Sequence, residues 1–277
     1  MVPHQPRVRG LWIYPIKSCR GISVHQLEIK STGPLFDRQW MIVDENNKFI
    51  TLRTHSKLAL IEVELDLKFL MIKFGSFNFK ISLKQESKKV ETVNVWKDFV
   101  SAGIEAEEIN LALSQFLKQK VRLVRYQSDS FRGLKSAISE KDKGVMFADS
   151  KPVLLINKNS LDDLNNKLAT LHLEPSQLER FRANIIIEGL EAFKEDEATE
   201  LNINGLLFRN PTLCSRCSII TQDIETGTVV SKETLATLAS YRKINGNKVM
   251  FGVYWMPQNT GMIRRGDVVE LITNKSI

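Results

Sequence analysis

The chain has 277 residues, of which 43% are hydrophobic and 26% are charged, and its formal net charge is +7. This composition argues against a disordered chain, and three cysteines are too few for a disulfide framework. Basic residues are spread along the chain among 32 acidic ones, so we expect no nucleic-acid binding. No apolar run is long enough for a membrane span and the first ten residues lack a signal-peptide core, so we expect a cytoplasmic protein.

The first half has the pattern of short strands separated by turns. Alternating or β-branched apolar residues predict strands at 8–14, 24–30, 39–43, 48–52, 59–65, 69–74, 77–83 and 90–96. Strands at this spacing predict an antiparallel meander or a small barrel.

The loop after the first strand carries polar groups that could bind an anion. Pro15 ends the strand, and Lys17, Ser18 and Arg20 follow within six residues. An ammonium, a hydroxyl and a guanidinium together suit a phosphate oxygen, which accepts both charge and directional hydrogen bonds. A solvated basic turn is the alternative interpretation.

A helix from about Glu105, with Ile109, Leu113 and Leu117 at helical spacing, and a strand at 121–126 end the first half. The polar segment 127–143 has little periodicity and indicates a linker or mobile loop. We therefore predict two domains, 1–127 and 128–277.

The second half alternates strands with two helices. A strand at 153–157 has Asp149 at its entrance, and Ser160 with Asp163 resembles a capping box that opens a helix. We expect the leucines of this helix to be core residues, namely Leu161, Leu164, Leu168 and Leu171. A further helix is predicted from about Lys232, and strands at 184–188, 203–208, 218–223, 250–255 and 268–272.

The segment 212–222 contains two of the three cysteines, Cys214 and Cys217, with Arg216 between them. A fixed positive charge favours the ionised sulfur, so Cys217 is the leading candidate for a soft metal ligand or a nucleophile. Two buried structural cysteines, half of a zinc site and a redox pair remain alternatives.

Eight segments in order identify a family. YPIKSCRG, DRQWMIVD, FADSKP, RFRANIIIEG, CSRCSIITQDIETG, LATLASYR, FGVY and GDVVEL resemble the MOSC-domain family with its MOSC N-terminal β-barrel domain. The chain is most similar in style to mitochondrial amidoxime-reducing components and their bacterial relatives. The resemblance implies a sheet-rich α+β fold, in which a β-barrel-like domain precedes a MOSC β-barrel domain with peripheral helices.

The same resemblance implies a molybdenum cofactor, Mo-molybdopterin, with Cys217 as the metal ligand. It assigns the cofactor's phosphate end to the first loop and the DR segment, and further contacts to later segments, namely Lys17, Ser18, Arg38, Ser150, Arg182, Asn184, Ser215, Arg216 and Tyr254. Asp149 matches an acidic residue beside the metal, as a substrate contact or a proton donor. Lys151 departs from the small or neutral residue that is common before this proline, which could alter substrate access.

The implied activity is reduction of a small N-hydroxylated substrate, such as an amidoxime, a hydroxylamine or an N-hydroxylated base. The chain ends at Ile277 without a ferredoxin domain, so we expect electrons from a separate protein and its reductase. That protein would be a ferredoxin, a flavodoxin or a cytochrome b5-type protein, and the basic surplus suits an acidic partner. A module that carries the cofactor or serves sulfur transfer without turnover is the alternative.

Overall fold

The computed structural model describes residues 5–84, 87–134, 144–244 and 246–273. Within these ranges the fold is sheet-rich α+β, as the sequence predicts. Its helices are α1 (Glu107–Leu117), α2 (Lys158–Thr170) and α3 (Glu233–Arg242). Short 3-10 helices cover Ser56–Leu60, Leu178–Phe181, Lys194–Glu197 and Ser218–Thr221. None of the helices in these ranges combines the length and apolar character that a membrane span needs.

Most of the strands are short, and the two longest, of 11 and 10 residues, lie in the second half. In chain order they are β1 (Arg7–Ile13), β2 (Ile22–Val24), β3 (Gln26–Lys30), β4 (Gly33–Pro34), β5 (Trp40–Asp44), β6 (Glu62–Leu65), β7 (Phe69–Phe74), β8 (Phe77–Ser82), β9 (Val90–Val95), β10 (Asp98–Ile104), β11 (Val121–Tyr126), β12 (Val153–Asn157), β13 (Ile185–Glu188), β14 (Glu200–Ile203), β15 (Leu206–Arg216), β16 (Lys243–Ile244), β17 (Lys248–Pro257), β18 (Gly261–Arg264) and β19 (Val269–Ile272).

The largest sheet has nine strands, in the order β19-β14-β15-β17-β12-β13-β1-β2 with β16 beside β17. Strand β12 pairs with β13 in parallel, and every residue of β12 is buried. Strands covered on both faces lose the alternation of polar and apolar residues, which explains the continuous apolar run of β12. The first strand of the chain thus lies in the sheet of the second half, paired with β13.

Smaller sheets complete the first half. One has the order β5-β11-β10-β9 and another the order β6-β7-β8, while β3 pairs with both β4 and β18. Helix α1 buries Ile109, Leu113 and Leu117 in the core that these sheets share. Because β1 to β4 pair with strands of the second half, or with each other beside them, the two halves share a long boundary. The predicted division into residues 1–127 and 128–277 stays a prediction.

Several local predictions were wrong at the ends of elements. The region 59–65 begins inside the 3-10 helix Ser56–Leu60, and the predicted strand at 218–223 begins as the 3-10 helix Ser218–Thr221. A segment of four or five residues is too short to show either the helical or the strand period, so the apolar pattern does not separate a 3-10 turn from a strand. Strands β2, β4, β10, β14, β16 and β18 were not predicted as separate strands, and the predicted strand at 48–52 forms only isolated bridges at Lys48 and Phe49.

The proposed capping box at Ser160 is also wrong. Helix α2 begins at Lys158, and its N-cap is Asn157, whose side chain accepts a hydrogen bond of 3.1 Å from Asn159 N. The Ser160 hydroxyl instead donates to the buried carboxylate of Glu195 at 2.7 Å. Leu171 follows the helix and is 57% exposed, so the prediction that it is a core residue was wrong.

The polar segment 127–143 is only partly described, because residues 135–143 lie outside the described ranges. Its first part is anchored, contrary to the prediction of a mobile loop. Arg132 is 6% exposed and donates to Asp98 Oδ2 at 2.8 Å and to Met146 O at 3.0 Å. A buried guanidinium paired in this way fixes the chain as it crosses into the second half.

Candidate functional site

A cleft of about 780 Å³, partly open to solvent, lies where the first loop meets the cysteine segment. Every predicted site residue lines it except Ser150, which follows Asp149. Those in the lining are Lys17, Ser18, Arg38, Asp149, Arg182, Asn184, Ser215, Arg216, Cys217 and Tyr254. Residues from both halves of the chain therefore share one cavity.

The first loop is held against the sheet by its backbone. Lys17 N donates to Trp40 O at 2.8 Å, and Cys19 N donates to Ile16 O at 3.1 Å. Ser18 has a φ of 67°, a left-handed conformation that L-residues seldom adopt and that often occurs at functional sites. The tight turn directs Lys17 into the cleft, whereas Arg20 pairs with Glu62 at 3.0 Å and does not line it.

Lys17 forms a buried ion pair at the edge of the cleft. Its side chain is 4% exposed, and its ammonium donates to Phe147 O at 2.8 Å and to Asp149 Oδ1. Burial lowers the pKa of Lys17, although Asp149 opposes this effect. Desolvation alone would raise the pKa of Asp149, but the charge and hydrogen bond of Lys17, with a hydrogen bond from Trp96, lower that pKa to about 2. Asp149 is thus a hydrogen-bond acceptor at neutral pH and has no proton to donate.

A second buried group centres on Asp37. Its Oδ1 accepts from Tyr14 N at 2.8 Å and from Asn184 Nδ2 at 3.0 Å, and its Oδ2 accepts from Arg38 Nη1. Arg38 also donates to Asn184 Oδ1 at 3.2 Å and to Arg182 O at 3.0 Å. The sequence analysis missed Asp37, although its position beside Arg38 in the DR segment was a signal. This carboxylate compensates the Arg38 charge and fixes the direction of its guanidinium.

Two guanidinium groups contact the buried ring of Tyr14. The Cζ atoms of Arg38 and Arg182 each lie 4.4 Å from the ring centroid, a distance at which a cation is attracted by the ring. Arg182 has a φ of 55° and donates to Cys19 O at 2.7 Å. Its Nη2 is buried and has no hydrogen-bond partner within the described residues.

The two cysteines of the CSRC segment differ in environment. Cys214 is 2% exposed, and burial raises the pKa of its thiol. Cys217 is partly exposed and directly follows β15, where it precedes the 3-10 helix Ser218–Thr221. In the part of the chain that the structure describes, no group of three or more His, Cys, Asp or Glu side chains could hold a metal ion.

Arg216 lies between these cysteines and is held by backbone carbonyl groups. Its Nε donates to Phe251 O and its Nη1 to Phe181 O, both at 2.8 Å. Its Nη2 is buried and lacks a partner among the described residues. An unpaired buried donor is costly unless a ligand or water satisfies it, and both Arg182 and Arg216 belong to the lining of this cleft.

The lining as a whole suits an anionic cofactor that also takes a thiolate ligand. Among the residues that the structure describes, six cationic side chains but a single carboxylate line the cleft. Two of these cations, Arg182 and Arg216, have an unpaired buried Nη2, and Cys217 supplies a partly exposed thiol. A phosphate-bearing pterin that carries a soft metal matches this donor set, because guanidinium groups bind phosphate and thiolates bind soft metals.

Comparisons with known proteins identify the family of the chain. Residues 5–120 match the MOSC N-terminal beta barrel domain, and residues 142–270 match the MOSC domain. The chain is 31% identical to mitochondrial amidoxime reducing component 2 of Rattus norvegicus, over 95% of this chain and 82% of that protein. It is 32% identical to mitochondrial amidoxime-reducing component 1 of Homo sapiens, over 96% of this chain and 82% of that protein. A molybdenum cofactor sulfurase of Oryza sativa is 29% identical over 89% of this chain but only 32% of its own length.

Proposed function

Since this chain belongs to the MOSC-domain family, in the group that carries a MOSC N-terminal β-barrel domain, we propose that it is a molybdenum-cofactor-dependent oxidoreductase. Its substrates would be N-hydroxylated compounds such as amidoximes, hydroxylamines and N-hydroxylated bases. A separate electron-transfer protein would supply the electrons. All three cysteines are free, which suits our further proposal of a cytoplasmic location.

One observation carries this proposal. The cleft combines a partly exposed thiol, Cys217, with unpaired guanidinium donors on Arg182 and Arg216. Such a set has no evident purpose in an unliganded protein, because each unpaired buried donor costs stability.

Each side chain of the cleft has a distinct task in the proposed enzyme. Cys217 would supply the thiolate that holds the metal, and Arg182 and Arg216 would donate to the anionic and polar groups of the pterin. Lys17, Ser18 and Arg38 would hold its phosphate end, and the existing hydrogen bonds of Lys17 and Arg38 keep those two side chains oriented. When bound, the cofactor would supply two-electron redox chemistry at a nitrogen-oxygen bond.

Asp149 and Tyr254 would act beside the cofactor. Asp149, ionised and about half exposed, would accept a hydrogen bond from a bound substrate. Burial raises the pKa of Tyr254 well above the ordinary value, so its hydroxyl keeps its proton at neutral pH and can donate a hydrogen bond. Protons consumed in the reduction would therefore come from water rather than from Asp149.

The second candidate is a module that carries the cofactor or serves sulfur transfer without turnover. The similarity to a molybdenum cofactor sulfurase over 89% of this chain supports this second candidate. Both candidates require the cofactor in the same cleft and differ only in turnover.

The test is to produce the protein in a host that synthesises the cofactor, and to measure molybdenum and pterin per chain. Reduction of benzamidoxime is then followed with a chemically reduced dye as electron donor. We expect about one molybdenum per chain and formation of benzamidine. A fully loaded protein that reduces no N-hydroxylated compound would support the carrier instead.

Matched cysteine variants test the ligand assignment. We expect Cys217→Ala to lose both bound molybdenum and activity, whereas Cys214→Ala should have a far milder effect on both. Stoichiometric zinc without molybdenum would contradict the proposal altogether, and so would a Cys217→Ala variant that works at the parental rate.

A further inference from the structure

Trp96 occupies a strained position at the tip of a hairpin near the cleft. Strands β9 and β10 pair Val95 with Asp98, so Trp96 and Lys97 form a two-residue turn. Trp96 has a φ of 60° at the first position of this turn. Two-residue hairpin turns with positive φ favour Gly, Asn or Asp at that position, because a side chain with a bulky Cβ substituent is crowded there.

A large aromatic residue in such a conformation is retained only where its surroundings fix it, and such residues cluster at functional sites. The indole of Trp96 is fixed on two sides. Its ring centroid lies 5.0 Å from that of Phe49, and the guanidinium carbon of Arg53 lies 4.8 Å from its ring. The side chain is nevertheless 41% exposed, so burial of apolar area does not explain its position.

The indole N–H of Trp96 contacts a residue that lines the cleft. Its Nε1 donates to Asp149 Oδ1 at 3.0 Å, across 53 positions of sequence. The ammonium of Lys17 donates to the same oxygen. Two donors from separate loops therefore fix one oxygen of this carboxylate.

The second oxygen of Asp149 is left for a ligand. Among the described residues no hydrogen-bond partner occupies Oδ2, and the side chain is 51% exposed. With Oδ1 fixed by Lys17 and Trp96, the carboxylate cannot rotate freely, so Oδ2 keeps one direction. A preoriented acceptor binds a donor better than a mobile one, because less conformational entropy is lost.

We propose that Trp96 is a positioning residue for the substrate of this cleft, acting through Asp149. Its indole N–H holds Oδ1, so that Oδ2 accepts a hydrogen bond from an N–H or O–H group of the bound molecule. This inference rests on the proposed function and narrows its substrate class. Amidoximes and hydroxylamines, which carry such donors, are favoured over tertiary N-oxides, which carry none.

Binding to the oxidised holoenzyme tests this without turnover, because no electron donor is present. Calorimetric titration would compare benzamidoxime, which has N–H and O–H donors, with pyridine N-oxide, which has neither. Trp96→Phe keeps an aromatic ring against Phe49 and Arg53 but removes the N–H. We expect it to weaken benzamidoxime binding roughly tenfold, as for loss of one hydrogen bond to a charged group, and to leave pyridine N-oxide binding unchanged.

Two further variants separate this role from a structural one. Trp96→Gly relieves the positive φ but loses the contacts with Phe49 and Arg53, so we expect little net change in the urea midpoint of unfolding, while it weakens benzamidoxime binding as Trp96→Phe does. Trp255→Phe is the matched control. It removes another indole N–H, one that is buried and has no acceptor among the described residues, and it should leave benzamidoxime affinity unchanged.

A double-mutant cycle with Asp149→Asn gives the decisive result. The Asp149→Asn side chain could still accept from Trp96 through Oδ1, so the cycle also uses Asp149→Ala. If Trp96 acts through Asp149, Trp96→Phe has no further effect in the Asp149→Ala background. An equal loss in the parent and Asp149→Ala backgrounds would overturn the inference, as would unchanged benzamidoxime affinity in Trp96→Phe or absence of benzamidoxime binding to the parent holoenzyme. A holoenzyme that binds benzamidoxime through Trp96 but never reduces it would contradict the proposed function and leave this inference standing.

Discussion

The side-chain amide of Asn184 donates a hydrogen bond of 3.0 Å to the carboxylate of Asp37, although 147 positions separate the two residues. Asp37 is 5% exposed and Asn184 is 1% exposed, so this contact lies inside the boundary between the two halves of the chain. It joins the segment before β5 to the segment before β13, and it orients Arg38 at the edge of the cleft. Stability and ligand binding are therefore coupled at this point.

We expect Asp37→Asn to destabilise the protein by about 3–5 kcal/mol, because removing one partner of a buried ion pair leaves the Arg38 charge without compensation. Urea unfolding followed by circular dichroism measures this change. Glu188→Gln is the control, since Glu188 pairs with Arg9 at 3.7 Å on the surface and should contribute less than about 1 kcal/mol. Equal losses in the two variants would show that Asp37 is not the buried counter-charge we infer.

The ion pair of Lys17 with Asp149 predicts a specific pH dependence of stability. The pKa of Asp149 is about 2 in the folded protein, below the value of about 3.9 in an unfolded chain. The contribution of ionised Asp149 to the free energy of unfolding is therefore complete above about pH 4 and is lost as the pH falls toward 2. The difference in free energy of unfolding between the parent and Asp149→Asn should be constant from pH 7 to 5 and shrink below pH 4. A difference that already shrinks between pH 7 and 6 would contradict this.

The three thiols should differ in reactivity in the native, cofactor-free protein. Burial raises the pKa of Cys19 to about 12 and also raises that of Cys214, whereas Cys217 is partly exposed. Iodoacetamide at pH 8 should thus alkylate Cys217 well before the other two, because the accessible thiolate is the nucleophile.

Peptide mass spectrometry can follow each thiol separately, because trypsin cleaves after Arg216 and separates Cys214 from Cys217. All three thiols should react at similar rates in denaturant, which serves as the control. Bound cofactor should protect Cys217. Modification of Cys19 or Cys214 as fast as Cys217 in the native protein would refute the burial argument.

Local pattern predicted most of the strands, whereas the lining residues of the cleft were predicted only through the resemblance to a known family. Strands such as β7 and β11 have the predicted bounds, because alternation of apolar residues and a tight turn act over a few positions. The segments that carry this resemblance lie in different elements, and FGVY, for example, is inside β17. The 3-10 helix Ser218–Thr221 was mistaken for a strand because four residues are too few to separate the two periods.

The sequence pattern could not predict contacts between distant segments. Nothing local to Asp37 shows that Asn184 is its partner, and nothing local to Trp96 shows that its indole reaches Asp149. The buried carboxylate of Glu195, held by Ser160, was likewise missed, and with it the true start of α2. In each case the partner of a polar group lies far along the chain, and the fold alone brings the two together.

Gly21, at the end of the first loop, is required by the packing of Tyr14. A Cβ at this position would lie 2.4 Å from Tyr14 Cε1, and Tyr14 cannot easily move. Its ring is held by the guanidinium groups of Arg38 and Arg182, and its hydroxyl donates to Ala183 O at 3.3 Å. We expect Gly21→Ala to destabilise the protein by about 1–3 kcal/mol, as for other overpacked sites.

The displaced ring of Tyr14 would also move both guanidinium groups, so Gly21→Ala should retain less molybdenum after gel filtration than the parent. Gly10→Ala is the matched control on β1, because a Cβ there would meet Ile186 Cγ1 at an ordinary contact distance of 3.6 Å. It should change the free energy of unfolding by less than about 1 kcal/mol and leave the metal content unaltered. If Gly21→Ala matched Gly10→Ala in both measurements, Tyr14 would not be the fixed support that orients the cationic wall of the cleft.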